Sequence, residues 1–282
     1  MKSKSNSPIL AVVPVYQPNI ALLEQSLEKL KQCGLDILLI CNSSIDPRSK
    51  REWSAFALLV DQPQNRGTAG AYNIAIDAIL ASACYTHLLL MDQDTILSDQ
   101  YLDFCKSIEI YFPSSMLDRL VFCPFDMKNI YSPNSSVVTG VASGSLDCKL
   151  TLIKDAKASG MLIPRGVLKS LRFNQLLFVD YVDWEFCWRA RRRGFALVQV
   201  DDNNLTRHHL GDTYHLRFLG LRLSLPSRTR RKMQIRSAVV ILRNPTNYYI
   251  APKRRIAAIF ARFFINPMID VLEMTSFIRP CI

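Results

Sequence analysis

The sequence predicts an α/β protein: a mostly parallel central sheet flanked by helices, followed by a basic helical C-terminal extension. Three observations carry that prediction. Over the first hundred residues, short apolar runs alternate with helical segments, the order expected of strand–helix–strand units. The apolar runs are continuous rather than alternating, so each reads as a strand buried on both faces. The net charge of +11 is also localised. Residues 213 to 269 hold 12 Lys or Arg and no Asp or Glu, leaving 23 of the 35 basic residues against all 24 acidic ones elsewhere in the 282-residue chain.

The elements follow in order. ILAVVPVY (9–16) is a first strand. Leu22, Leu23, Leu27 and Leu30 recur at helical spacing until Gly34, a natural stop. DILLIC (36–41) and FALLV (56–60) are the second and third strands. TAGAYNIAIDAILASA (68–83) reads as a small-residue helix packed closely on the sheet, with Thr68 as its N-cap. THLLLMD (86–92) is a fourth strand, 98–112 a helix, and RLVFCPF (119–125) another strand. Residues 126–160, rich in Ser, Asn and Gly, are expected to form short strands and loops. YVDWEFCWRARRRG (181–194) is a helix with arginines in its last turn, where they suit the dipole, and FALVQV follows as a strand. After Gly211 the chain turns basic, apolar and punctuated by proline.

Several classes drop out. No run approaches the roughly 18 apolar residues of a spanning helix. The start, MKSKSNSPIL, is too short and polar before Pro8 for a secretory signal, so a cytoplasmic location is expected. None of the 8 cysteines forms a Cys-x-x-Cys pair, so reduced thiols are expected rather than zinc or disulfides. No Gly-x-Gly-x-x-Gly or Gly-Lys-Ser/Thr motif supports an NAD fingerprint or a P-loop.

In parallel sheets, ligands bind at the carboxyl ends of the strands. Here those ends are polar: Tyr16-Gln17, Asn42-Ser43-Ser44, Asp61 to Gly67, and Asp92-Gln93-Asp94. Two carboxylates at i and i+2 can share a divalent cation whose shell is completed by substrate phosphates. In an isolated Asp-x-Asp, strand ending and capping would suffice as an explanation. At the end of a fourth strand the metal reading takes precedence. Asp180, Asp183 and Glu185 crowd the start of the later helix. Asp180 can be its N-cap and Glu185 can pair with Arg189 at i,i+4. Asp183 can also act as a general base, and both readings stand on the residues alone. His208 and His209 could add an imidazole to a carboxylate-held metal or lie on the surface. Asn65-Arg66-Gly67 could shape a loop around a ligand, while Ala69 to Ala71 need only helix–sheet packing.

Together these stretches resemble the family 2 glycosyltransferases, within them the rhamnosyltransferase-like group. VVPVYQP, NSS, NRGTAGAYNIAI, LLLMDQDT, ASGMLI (158–163), LLFVDYVDWEFCWRARRRG, HHLGD and ILRN (241–244) stand in family order across residues 9 to 245. The resemblance implies a GT-A type fold with a Rossmann-like sheet. It implies a catalytic domain over 1–212, with a nucleotide-binding half at about 8–125 and an acceptor half at about 126–212. Residues 213–282 then form a basic, partly amphipathic helical segment. Asp92, Asp94 and His208 match metal positions, for Mg or Mn. Asp183 matches the catalytic base. Pro14, Tyr16, Asn42, Asn65, Gly67, Asp92, Gln93, Ser159 and Gly160 match the surroundings of the nucleotide sugar. Cys41 stands where the family offers an Asp, Pro14 and Gln17 interrupt its Thr-Tyr-Asn-Pro pattern, and Ala238-Val239 replace a Tyr-Tyr.

The implied activity is inverting transfer of L-rhamnose from dTDP-L-rhamnose to a polysaccharide or polyprenyl-pyrophosphate-linked glycan, as in O-antigen or capsule synthesis. The C-terminal stretch RRIAAIFARFFINPMIDVLEMTSFI mixes basic and large apolar residues at helical intervals. It suits either an anionic membrane surface, with the protein peripheral on the inner face of the cytoplasmic membrane, or packing on the core. Two other functions compete. A nucleotidyltransferase would share the sheet and carboxylates but wants a Gly-rich loop on the first strand, which VVPVYQP lacks. A nucleic-acid-binding protein would use the basic C-terminus but leaves Asp92, Asp94 and Asp183 without purpose, so no nucleic-acid partner is expected.

Overall fold

The computed structural model describes residues 7–124, 149–201, 207–208, 213–218, 221–244 and 253–274. The chain forms two compact units, residues 1–175 with 182–208, and residues 176–181 with 209–282.

The first unit opens with β1 (Ile9–Val15), α1 (Ile20–Gln32), β2 (Asp36–Cys41), α2 (Pro47–Ser54), β3 (Leu58–Asp61), α3 (Gly67–Ala81) and β4 (His87–Leu90). It continues through β5 (Thr95–Ile96), α4 (Asp99–Tyr111), α5 (Ser114–Leu117), β6 (Leu120–Pro124), β7 (Lys149–Ile153) and β8 (Leu162–Pro164). It ends with α6 (Arg165–Ser170), α7 (Val182–Arg192), β9 (Ala196–Asp201) and β10 (Arg207–His208). An eight-stranded sheet runs β3-β2-β1-β4-β8-β6-β9-β7. β1 pairs in parallel with β2 and β4, β2 with β3, and β6 with β9, whereas β8 and β7 run antiparallel to their neighbours. The expected α/β architecture is therefore present as a mixed, mostly parallel sheet. Residues 126–148, within the stretch expected to hold short strands and loops, lie outside the described residues, as does residue 125 at the end of the expected strand 119–125.

The central strands are apolar because both faces are covered. Ala11, Val12, Val13, Leu88, Leu89 and Leu90 are all fully buried. α1 buries Leu23, Leu27 and Leu30 against the sheet, one stripe at helical spacing. Pro14 is tolerated in β1 for a local reason. The β4 pairing ends at Val12–Leu90, so the absent N–H of Pro14 removes no bond to that strand. Three expectations change in detail. FALLV starts its strand late, because Phe56 and Ala57 donate their N–H groups back to Trp53 O and complete the turn after α2. α3 begins at Gly67, behind Arg66 and without a side-chain cap, so Thr68 is not its N-cap. Gly67 turns the chain there with φ +67°, a conformation glycine adopts at little cost. α7 starts at Val182, so Tyr181, at φ 66°, and not Asp180 stands directly before it.

The second unit holds an antiparallel pair, β11 (Thr213–Phe218) with β12 (Leu221–Pro226), and two helices, α8 (Arg228–Leu242) and α9 (Lys253–Met274). Ser227 caps α8 by accepting from Arg230 N. Arg231, fully buried, forms a two-pronged ion pair with Asp270 Oδ1 at 2.9 and 2.7 Å. Asn266 Nδ2 donates to Gln234 Oε1 at 3.1 Å beside it.

Candidate active site

Strand order reverses at β1. β2 and β3 lie on one side, and β4 returns to the other. The crevice at the carboxyl ends of β1 and β4 is thus the switch point of the parallel half-sheet. The polar strand ends gather there and tie one another down. Gln93 Nε2 donates to Tyr16 O at 3.0 Å while Tyr16 N donates to Gln93 Oε1 at 2.8 Å. Gln17 N donates to Ser43 Oγ at 2.9 Å, which joins β1 to β2. Asn42 receives Arg66 N and donates to Gly67 O, both at 3.4 Å, and Gly67 N donates to Asn65 Oδ1 at 2.8 Å. The amides of Gln93, Asn42 and Asn65 therefore build the rim, and they shape the backbone that faces the crevice.

Asp92 follows β4 directly. Met91 N still donates to Val12 O at 3.0 Å, so the strand stays in line to its last residue. Asp92 N donates to Ser159 Oγ at 3.0 Å. The turn closes with Thr95 N on Asp92 O at 3.3 Å, which carries Asp94 within it. Gly160 supports this end of β4 by donating to Leu90 O at 2.7 Å and accepting from Tyr101 Oη at 2.6 Å. Its φ of +83° and the 2.5 Å gap between a built Cβ and Pro124 Cγ leave room for glycine alone.

Asp183 stands in the first turn of α7, where the helix dipole favours a carboxylate. Its Oδ1 accepts from Trp184 N at 2.9 Å. Further along α7, the expected i,i+4 pair is present. Arg189 grips the buried Glu185 with Nε–Oε1 at 2.6 Å and Nη2–Oε2 at 2.7 Å.

Tyr72 of α3 reports how these acids lie. Its hydroxyl is buried and donates to Asp92 Oδ1 at 3.5 Å. Burial holds the phenol well above its usual range, and the charges of Asp92, Asp183 and Asp94 raise it further. One hydroxyl thus feels all three carboxylates, so the acids of the two sequence motifs share one neighbourhood. Tyr72 was not among the residues singled out from sequence. A bulky phenol directly after the small-residue run Thr68-Ala69-Gly70-Ala71 is the available signal.

His208 reaches the same place by its backbone. β10 pairs with β5 so that His208 lies opposite Thr95, next to Asp94. His209 and the side chain of His208 lie outside the described residues. Among the described residues no cluster of three or more His, Cys, Asp or Glu has metal-binding geometry. The donors at hand are the oxygens of Asp92 and Asp94, a set that suits a hard cation whose shell substrate phosphates complete.

No family model matches the chain. It is 24% identical over 248 residues to the dTDP-rhamnosyl transferase RfbF of Shigella flexneri, across 84% of this chain and 81% of that protein. Among solved structures, GalNAc-T7, crystallised with UDP, GalNAc and Mn2+, superposes with a TM-score of 0.52 at 11% identity. That match covers 70% of this chain and 43% of GalNAc-T7, so the chain spans less than half the length of that protein. The shared feature is the fold.

Proposed function

We propose that this chain is a GT-A glycosyltransferase that transfers L-rhamnose from dTDP-L-rhamnose to a glycan acceptor with inversion at the anomeric carbon. The observation that supports the reading is that the polar ends of β1 and β4 gather at one crevice, where Gln93 bonds Tyr16 and the Tyr72 hydroxyl meets Asp92 Oδ1 at 3.5 Å. Asp92 and Asp94 would hold a divalent cation, with His208 from β10 as a further ligand. Such a cation, when bound, offsets the negative charge that develops on the departing diphosphate. Asp183 accepts the proton of the acceptor hydroxyl as that oxygen forms its bond to the anomeric carbon and the dTDP oxygen leaves from the opposite face. Pro14, Tyr16, Asn42, Asn65, Gly67, Gln93, Ser159 and Gly160 frame the nucleotide sugar, several of them through the backbone they hold. RfbF supports the dTDP-rhamnose donor, and the Mn2+ in GalNAc-T7 supports a divalent metal. The test is release of dTDP from dTDP-L-rhamnose in the presence of cell membranes. Asp183→Asn should abolish it and keep Mn2+-dependent dTDP binding, whereas Asp94→Ala should lose both. Near-native turnover by Asp183→Asn would remove Asp183 as the base.

The acceptor side of the reading is a lipid-linked glycan at an anionic membrane surface. Its support lies in the second unit. α9 turns Asn266 and Asp270, paired with Gln234 and Arg231, toward α8. Its exposed large apolar residues are instead Phe260, Phe264, Ile265 and Met268, at 39, 68, 44 and 56% exposure, with Arg262 exposed among them and Lys253 exposed at the helix start. This inverts the usual pattern of a surface helix, in which polar groups face water. A largely apolar face with exposed basic residues and, among the described residues, no exposed acid suits the headgroup boundary of an anionic bilayer. No described helix is long and apolar enough to cross a membrane. Lys232 and Arg236 leave α8 away from its buried Arg231–Gln234–Ala238 side, so they add attraction at a distance, screened by salt. The full chain should co-float with phosphatidylglycerol vesicles and not with phosphatidylcholine vesicles, and a Phe264→Gln, Met268→Gln variant should stay in solution. Equal flotation of that variant would contradict the membrane reading.

A further inference from the structure

Tyr72 and Asn73 are adjacent on α3, and each reaches a residue about 100 positions away. Asn73 lies buried and clasps the backbone of Phe173 with two bonds. Its Nδ2 donates to Phe173 O, and Phe173 N donates to its Oδ1, both at 2.9 Å. The Tyr72 ring meets the Phe173 ring at 5.1 Å between centroids. Phe173 in turn stacks on Phe186 at 4.3 Å and 17°. Phe186 is fully buried on α7, three residues after Asp183 and so on the same side of that helix. A chain of three rings therefore runs from α3 to the helix that presents Asp183. At its other end the Tyr72 hydroxyl meets Asp92 Oδ1 at 3.5 Å.

We propose that Tyr72 is a positioning residue for both acids of the site. Its hydroxyl orients Asp92, and its ring, through Phe173 and Phe186, sets the helix turn that carries Asp183. The proposal rests on the reading of Asp92 as a donor-site ligand and Asp183 as the base. The physical need is plain. Asp92, Asp94 and Asp183 repel one another before a cation or substrate arrives, and a neutral donor anchored in the core holds one of them in place. Asp92 is then fixed twice, by Tyr72 at its side chain and by Ser159 at its backbone. Aromatic stacking suits the second task because rings have few rotamers and a defined contact geometry.

The two tasks separate by mutation. Tyr72→Phe keeps the ring and removes the bond to Asp92. Phe173→Leu keeps that bond and removes the stack on Phe186. Calorimetry with Mn2+ and dTDP, repeated with UDP, reads the first task on the full chain. Tyr72→Phe should weaken Mn2+-dependent nucleotide binding by about threefold to tenfold, the range for one modest hydrogen bond. Its melting temperature should move by no more than about 4 °C. Phe173→Leu should leave that binding within about twofold, the smallest effect expected of a lost hydrogen bond, and lower the kcat for dTDP-L-rhamnose turnover with KM little changed. Nucleotide binding by Tyr72→Phe equal to wild type would overturn the proposal. So would losses in both variants that merely follow their melting temperatures. Asp92→Asn and Asp183→Asn separate the levels of failure. If Asp92→Asn loses binding and Asp183→Asn loses turnover while Tyr72→Phe is unchanged, only the role of Tyr72 falls. If wild type binds neither nucleotide with Mn2+, the underlying reading falls and the proposal with it.

Discussion

At the residue scale, His87 shows what burial does to a titratable group. It opens β4, lies almost wholly buried, and contacts Thr86 Oγ1 through Nδ1 at 2.9 Å. Burial lowers its pKa from 6.5 to about 4, with Asp118 opposing weakly. The sign follows from linkage. Below the unfolded value the unfolded chain takes up a proton that the native chain refuses until about pH 4. Stability is therefore lost as pH falls from about 6.5 to about 4, by roughly 3 kcal/mol in all. His87→Phe should flatten that part of the profile, read by urea unfolding at pH 7 and pH 4.5. A variant with the same acid sensitivity as wild type would refute the assignment. Arg189 makes the complementary point. Arg189→Ala would strand the buried Glu185 without its partner, at a cost of about 3 kcal/mol. Urea denaturation would measure the loss. The acids of the proposed site stand out in the sequence by local pattern. Asp92 and Asp94 end an apolar run, and Asp183 starts a charged helix, so local pattern located them. Tyr72 and Phe173 do not stand out, because their meaning lies in contacts across about 100 residues that no local pattern encodes.

At the element scale, the segment around Gly160 braces the end of β4. Leu90 N donates to Met161 O at 2.9 Å, Gly160 N returns to Leu90 O, and Tyr101 caps Gly160 O. A Cβ at Gly160 would meet Pro124 Cγ at 2.5 Å and Leu97 Cδ2 at 2.9 Å, at a φ that side chains rarely adopt. Gly160→Ala should cost about 2 kcal/mol or more, because strain and overpacking add. Since this segment also holds Asp92 N, nucleotide binding should weaken with it. Thermal unfolding and dTDP calorimetry on the same variant would check both. Element types were readable wherever the apolar period was long, as in β1, β2, α1 and α4. Boundaries were less so, for identifiable reasons. Phe56 and Ala57 look like strand residues but donate to Trp53 O, and Gly67 turns the chain where Thr68 was expected to cap. In both cases a backbone preference of the adjoining turn outweighs side-chain pattern.

At the scale of the whole molecule, charge and fold are segregated together. The first unit holds the eight-stranded sheet and the acids of the proposed site, and the second carries most of the excess of basic residues. The location of that excess was visible in composition alone. The assignment of residues 176–181 to the second unit was not, since those residues precede α7 in sequence. Within the second unit, the buried Arg231 and the part-buried Asp270 tie α8 to α9. Asp270→Ala should destabilise that unit by about 3 kcal/mol, because it leaves the buried Arg231 uncompensated. Hydrogen exchange should then show faster exchange in α8 and α9 than in β1 and β4. Uniform acceleration across both units would contradict this account.

The central claim is that the carboxylates at the end of β4 hold a cation and a nucleotide diphosphate within reach of Asp183. Anomalous diffraction from crystals grown with Mn2+ and dTDP addresses it most directly. The account predicts a manganese peak bonded to Asp94 or Asp92, a diphosphate on the same ion, and the Asp183 carboxylate facing the open side of that cleft. A nucleotide seated elsewhere on the molecule, or a manganese site remote from both aspartates, would contradict it.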